Sequence, residues 1–255
     1  MPSSSGRPLF LFGLLLSLLR QAAALPYTPD AKCPLMGHLL ELARDRPGVA
    51  IDVGANGGCE STVALNAGRR VIAFECLSSA YFELLGNIAA NATLVHLCAG
   101  SKPHLAELHL AADSSSLLSQ NVRFGNEARK AVRNLRHGGR ARETVAIVPL
   151  DSIIPSTERV ALIKVDTQGY EYHVLMGLMQ TLRRECPVLA YEDVPTKANG
   201  RKVADSHPWA KLGDPAKDLL APLGYRCERY ADLDIVCVCD RGGRSGSRAG
   251  SPSEL

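Results

Sequence analysis

Two apolar runs, each ending on an acid and separated by a glycine-rich turn, constrain this chain more than any other feature. The first is Val49-Ala50-Ile51-Asp52, which passes through Val53, Gly54, Ala55, Asn56, Gly57 and Gly58; the second is Val71-Ile72-Ala73-Phe74-Glu75. Short runs of this composition read as buried strands. Ser61-Thr62-Val63-Ala64-Leu65 follows the turn, and Gly54, Gly57 and Gly58 let backbone approach a ligand without side-chain obstruction. Glu75 stands 21 positions after Gly54. In doubly wound folds an acid so placed, at the end of the second strand, accepts hydrogen bonds from ribose hydroxyls.

The glycine spacing narrows the ligand. The dinucleotide fingerprint G-x-G-x-x-G is absent, because Asn56 stands where the second glycine belongs, and no G-x-x-x-x-G-K-[ST] phosphate loop occurs. What remains is Asp52-x-Gly54-x-Asn56-x-Gly58, a strand-to-helix turn of nucleotide-cofactor type, against the simpler alternative of an ordinary turn after a buried strand.

Elements alternate along the chain as they do when a parallel sheet carries helices on both faces. Leu35, Leu39, Leu40 and Ala43 mark a helix stopped by Pro47-Gly48, and Tyr81, Leu84, Leu85 and Ile88 mark another between Ser78 and Asn91. Strands are expected at Leu94 to Cys98, Leu105 to Leu110, Thr144 to Val148, Val160 to Val165 and Pro187 to Tyr191. One helix is expected through Val174, Leu175, Leu178 and Leu182, another from Asp214 to Leu223, and a closing hairpin from Tyr225 to Tyr230 and Ile235 to Asp240. The fold class is therefore α/β, a doubly wound and mostly parallel sheet with a C-terminal antiparallel hairpin.

Residues 1–24 read as a signal peptide: Arg7, an apolar run from Leu9 to Leu19, then Gln21-Ala22-Ala23-Ala24 as the cleavage pattern. The run is too short for a stable membrane span, which needs about 20 apolar residues. Residues 25–240 suit a single domain. Eight cysteines fit an oxidising compartment, with their pairing unread beyond Cys227 facing the strand that holds Cys237 and Cys239. The secretory pathway, in its lumen or beyond the cell, is the expected address, with an organelle transit peptide as the alternative. Asn91-Ala92-Thr93 is an N-glycosylation acceptor triplet. Residues 120–142 carry Arg123, Arg129, Lys130, Arg133, Arg136, Arg140 and Arg142 against Glu127 alone. This basic helical insertion is either a solvated face or a collar for an anionic substrate. The Gly/Ser/Arg-rich stretch 241–255 reads as a disordered tail.

With the strands placed, five segments in order carry a family likeness: IDVGANGG, VIAFE, VPLDSI, IKVDTQGYEYHVLMG and VLAYE. Together they resemble the FkbM-type methyltransferases that use S-adenosylmethionine, from about Val49 to Asp193. The resemblance implies a Rossmann-like class I methyltransferase sheet, with Asp52, Gly54, Asn56, Gly58 and Glu75 at the cofactor. Asp166 would receive the acceptor's proton, with Glu171, His173 and Glu192 as neighbours that orient or deprotonate a hydroxyl. Two departures stand out: Cys76 replaces a common proline, and Gln168 replaces a common glutamate. Asp166, Glu192 and Asp193 offer oxygen ligands, yet no metal is expected.

The resemblance also implies O-methylation, commonly of a sugar or other small-molecule hydroxyl. A nucleic-acid acceptor is disfavoured, because Asp166-Thr167-Gln168-Gly169 stands where a base methyltransferase carries an N-P-P-[YF] type turn. A second class is a non-catalytic module of the same fold that holds a glycan or partner protein. A nicotinamide oxidoreductase is a distant third.

Overall fold

The computed structural model describes residues 33–109, 142–193, 215–231 and 233–240. The expected signal peptide at 1–24, nearly all of the basic insertion at 120–142 and the tail at 241–255 lie outside the described residues. Ten strands are formed among those described: β1 (Val49–Val53), β2 (Val71–Glu75), β3 (Thr93–His96), β4 (Cys98–Ala99), β5 (His104–His109), β6 (Arg142–Val148), β7 (Val160–Val165), β8 (Val188–Glu192), β9 (Tyr225–Arg229) and β10 (Asp234–Cys239). The helices are α1 (Pro34–Leu42), α2 (Cys59–Asn66), α3 (Ser78–Ile88), α4 (Glu171–Met176), α5 (Met179–Glu185) and α6 (Pro215–Leu220).

Seven strands form one sheet in the order β3-β2-β1-β7-β8-β10-β9. β1, β2, β3, β7 and β8 run parallel, while β10 inserts antiparallel between β8 and β9. The order reverses direction between β1 and β7. That crevice, at the carboxyl ends of two adjacent strands, is where open α/β sheets bind ligands. β1 and β7 are buried along their whole length, as parallel strands covered on both faces must be. One face packs Val49, Ile51 and Val53 against Val174, Leu175, Leu178, Leu182 and Leu220 of α4, α5, α6 and the link between α4 and α5. The other packs Ala50 and Leu162 against Met36, Leu39, Val63, Leu84 and Ile88 of α1, α2 and α3.

The expected strand from Leu94 to Cys98 divides at Leu97, where a tight turn bonds the Leu97 N–H to the Val95 carbonyl. Cys98–Ala99 leaves the main sheet and joins a second sheet ordered β4-β6-β5. The expected single helix through Val174 and Leu182 is likewise two. A Cβ on Gly177 would lie 2.0 Å from the Gly100 carbonyl oxygen, so the chains cross here too closely for a side chain. Asp151 supplies the new helix start, accepting the N–H groups of Gln180 and Thr181 at 2.7 and 2.9 Å.

All eight cysteines are paired, as Cys33–Cys59, Cys76–Cys98, Cys186–Cys239 and Cys227–Cys237. Cys227 faces Cys237 directly across the hairpin. No described helix is long and apolar enough to cross a membrane.

Candidate functional site

The turn after β1 is built by backbone conformation. Gly54, Asn56 and Gly58 have φ of 78°, 48° and 89°. Gly54 also has no room for a side chain, since a Cβ would sit 1.9 Å from the Asp166 carbonyl oxygen. The Gly54 and Ala55 N–H groups bond the Phe74 carbonyl at 2.9 and 3.1 Å, which draws the turn over the end of β2. Gly58 opens α2 in a left-handed conformation.

Glu75 joins the first turn to the second. Its Oε2 accepts the Asn56 N–H at 2.8 Å, and its Oε1 accepts the N–H groups of Cys76 and Leu77 at 2.7 and 2.8 Å. The residue is 7% exposed. Each carboxylate oxygen takes two donors, so Oε1 is filled and Oε2 keeps one acceptor position.

Asp166 leaves β7 with its N–H on the Val53 carbonyl, which places it directly beside the first turn. Its Oδ1 accepts the Gln168 amide at 2.8 Å, and the same amide donates to Glu192 Oε2 at 2.8 Å. Both neighbours are acceptors, so the amide nitrogen must face them. A glutamate at 168 would add a third carboxylate to that pair. Burial opposes ionisation of Asp166, but the Lys164 ammonium and the Gln168 amide outweigh it and hold the carboxyl below its usual range.

Lys164 is the part of the site that the sequence reading missed. It is 4% exposed and is the penultimate residue of β7. Its Nζ lies 3.5 Å from the Gly54 carbonyl oxygen, 3.6 Å from Asp52, 3.5 Å from Asp166 and 3.9 Å from Glu60. Burial works against its charge, yet Asp166, Asp52 and Glu60 together raise its pKa above the ordinary value. The available signal was a lysine inside an otherwise apolar run, where no side chain reaches water and a charge needs partners.

A cleft at the ends of β1, β2 and β7 is lined by Gly54, Asn56, Glu75, Asp166, Gln168 and Tyr170 on its polar side. Cys76, Leu77, Leu97, Cys98, Ala99 and Leu108 form the apolar side, so the second sheet and the Cys76–Cys98 disulfide supply one wall. The expected site residues divide accordingly. Gly54, Asn56, Glu75 and Asp166 share the cleft, and Glu192 reaches it through Gln168.

Asp52, Gly58, Glu171 and His173 do not line the cleft. Asp52 lies beneath the turn, fully buried, with Oδ2 accepting the Ser61 hydroxyl at 2.7 Å. Gly58 packs against Leu84, which a Cβ would approach to 2.8 Å. Glu171 is buried under the next turn, where Oε1 accepts the N–H groups of Thr167 and Gly169 at 2.9 and 3.0 Å. Burial raises its pKa to about 7 against the pull of those N–H groups. His173 packs its ring against Tyr170 with centroids 4.5 Å apart, and burial and the nearby His104 lower its pKa. The possible oxygen-ligand trio is also redrawn. Carboxylate oxygens of Asp166, Glu171 and Glu192 lie within 4.8 Å of one another, while Asp193 pairs with Arg229.

The model of the methyltransferase FkbM domain matches residues 52–226, more than half of the chain. No curated protein sequence matches significantly. Among solved structures, a methyltransferase FkbM from Methylobacillus flagellatus is 17% identical with a TM-score of 0.45; the match covers 74% of this chain and 43% of that one. An O-methyltransferase from Bacillus cereus, in complex with SAH, is 11% identical with a TM-score of 0.46, covering 94% and 93%. A putative caffeoyl-CoA O-methyltransferase from Staphylococcus aureus is 10% identical with a TM-score of 0.45, covering 91% and 98%.

Proposed function

The chain belongs to the FkbM methyltransferase family, and from that premise we propose that it moves the methyl group of S-adenosylmethionine to a hydroxyl of a sugar or other small molecule in the secretory pathway. The observation that carries the reading is Glu75, one carboxylate gathering backbone N–H groups from both crossover turns at the cleft wall. Its remaining acceptor position suits a ribose hydroxyl, and the side-chain-free backbone at Gly54 suits close approach by the cofactor's methionine end. The apolar wall of Leu77, Leu97 and Leu108 suits a base.

Bound S-adenosylmethionine supplies an already activated methyl on a sulfonium, so the protein has mainly to align a nucleophile and receive its proton. Asp166, held in its ionised form, accepts a hydrogen bond from the acceptor hydroxyl and takes the proton as the new bond forms. Glu75 and Asp166 are the carboxylates on the polar side of the cleft, and their position there suits a cationic ligand. Four disulfides among the described residues support the oxidising address.

Calorimetric titration with S-adenosylmethionine tests the cofactor, and mass spectrometry of extracts incubated with methyl-labelled cofactor names the acceptor. Asp166→Asn should cut turnover and leave cofactor affinity near normal; equal loss of both would make Asp166 structural. A non-catalytic module has one observation in its favour, the neutral Gln168 amide occupying Asp166 and Glu192. Cofactor binding with no labelled product in any extract would favour it.

A further inference from the structure

The end of the sheet opposite the cleft carries a second feature. The first residues of three strands, Val49, Val71 and Thr93, border an open groove of about 520 Å³. Ile72, Val95, Ile153, Ile154 and Pro155 give it an apolar floor, and Ile153 leaves 39% of its surface exposed. An ion pair between Arg70 and Glu158 closes one side at 2.5 Å. Asn91 stands on the rim, exposed, in the turn between α3 and β3, and Thr93 is exposed as the first residue of β3.

Asn91-Ala92-Thr93 is the only N-x-[S/T] triplet in the sequence. We propose that Asn91 is N-glycosylated and that the first sugars of the glycan lie over this groove, an inference that rests on the secretory address of the preceding section. The Asn91 amide nitrogen forms a bond to the anomeric carbon of a lipid pyrophosphate-linked oligosaccharide. The bond from that carbon to the pyrophosphate oxygen breaks, and the lipid pyrophosphate departs while the amide gives up one proton. A pyranose has an apolar C–H face and a hydroxyl rim. The floor of Ile72, Ile153 and Pro155 matches the first, and the Arg70–Glu158 pair matches the second. β3 is also the outermost strand of the main sheet. A glycan at its start would block pairing with another chain along that edge. The cleft lies at the other ends of the same strands, so the modified side chain stands clear of it.

The full chain is expressed in secretion-competent eukaryotic cells. Alkylation of free thiols reports whether the chain has been oxidised in the lumen, and peptide-N-glycosidase treatment reports the glycan. A mobility shift that the glycosidase removes, leaving an aspartate at position 91 by peptide mass, is the expected result. The shift should vanish in Asn91→Gln and in Thr93→Ala but persist in Thr93→Ser, and native glycosidase treatment should raise the fluorescence of an apolar dye. Oxidised protein without a shift overturns the glycan and leaves the address standing. Reduced protein without a shift overturns both. A shift without the rise in dye fluorescence overturns the placement over the groove.

Discussion

Glu171 shows how burial turns a carboxylate into a pH sensor for stability. Its ordinary value of 4.5 is raised to about 7 in the fold, chiefly by burial. Between those values the unfolded chain releases the proton and the folded one keeps it, so ionisation favours unfolding and stability falls as pH rises. Glu171→Gln keeps an oxygen to accept the Thr167 and Gly169 N–H groups and removes the titration. Urea unfolding at pH 5 and pH 7.5 should therefore show the variant gaining on the parent at the higher pH; an unchanged difference would refute the buried proton. Lys164 behaves in the opposite sense, because it is the charge that the others depend on. Lys164→Met leaves the buried Asp52 without its cation and takes a charge partner from the partly exposed Asp166, and loss of one partner of a buried pair costs about 3–5 kcal/mol. Chemical denaturation measures it, and a loss below ~1 kcal/mol would mean that the ammonium is not needed there. Neither role was legible from residue spacing. Glu171 was read as facing an acceptor and Asp52 as facing the cofactor, because a sequence places a carboxylate at the end of a strand or the start of a helix without saying which side of the backbone it serves.

At the scale of elements, periodicity and composition carried more. β2 and β7 occupy the positions their apolar runs assign, and the closing hairpin is antiparallel as expected, with the structure adding that β10 pairs with β8. What escaped was decided by distant partners. α4 and α5 separate because Gly177 meets Gly100 and because Asp151, far away in sequence, caps the second helix. β4 departs from β3 to pair with β6, whose partners no local pattern names. The glycines divide on the same basis. Gly54 and Gly68 both have positive φ, but nothing lies within 4 Å of a Cβ at Gly68, whereas at Gly54 it would meet backbone at 1.9 Å. Gly68→Ala should cost only the left-handed conformation, about 1–2 kcal/mol. Gly54→Ala must in addition push β1 from β7, so it should lose cofactor binding as well as stability. Calorimetric titration of the two variants separates them, and retained affinity in Gly54→Ala would show that the turn does not need this close approach.

Across the whole molecule, the four disulfides join the starts of α1 and α2, the end of β2 to β4, the end of α5 to β10, and β9 to β10, and their exposure ranks how they will yield to a reductant. Thiol exchange requires the attacking thiolate to reach a sulfur. Cys76, Cys59 and Cys227 are each only partly buried, so their bonds offer one approachable side. Cys186 and Cys239 are both buried, at 2% and 5% exposure, and join the end of α5 to β10 across 53 residues. Arg46, reaching from the segment after α1, donates to the carbonyls of both cysteines at 2.5 and 3.2 Å and holds the two strands of chain together over that bond. Graded reduction of the native protein, followed by alkylation and peptide mapping, should therefore open Cys186–Cys239 last. The Cys76–Cys98 bond forms part of the cleft wall beside Glu75, so cofactor affinity should fall when that pair becomes alkylated and before global unfolding. Affinity that survives until Cys186–Cys239 opens would instead assign the wall's shape to the packing of Leu77, Leu97 and Leu108 alone, with the disulfide adding only to the stability of the fold around it.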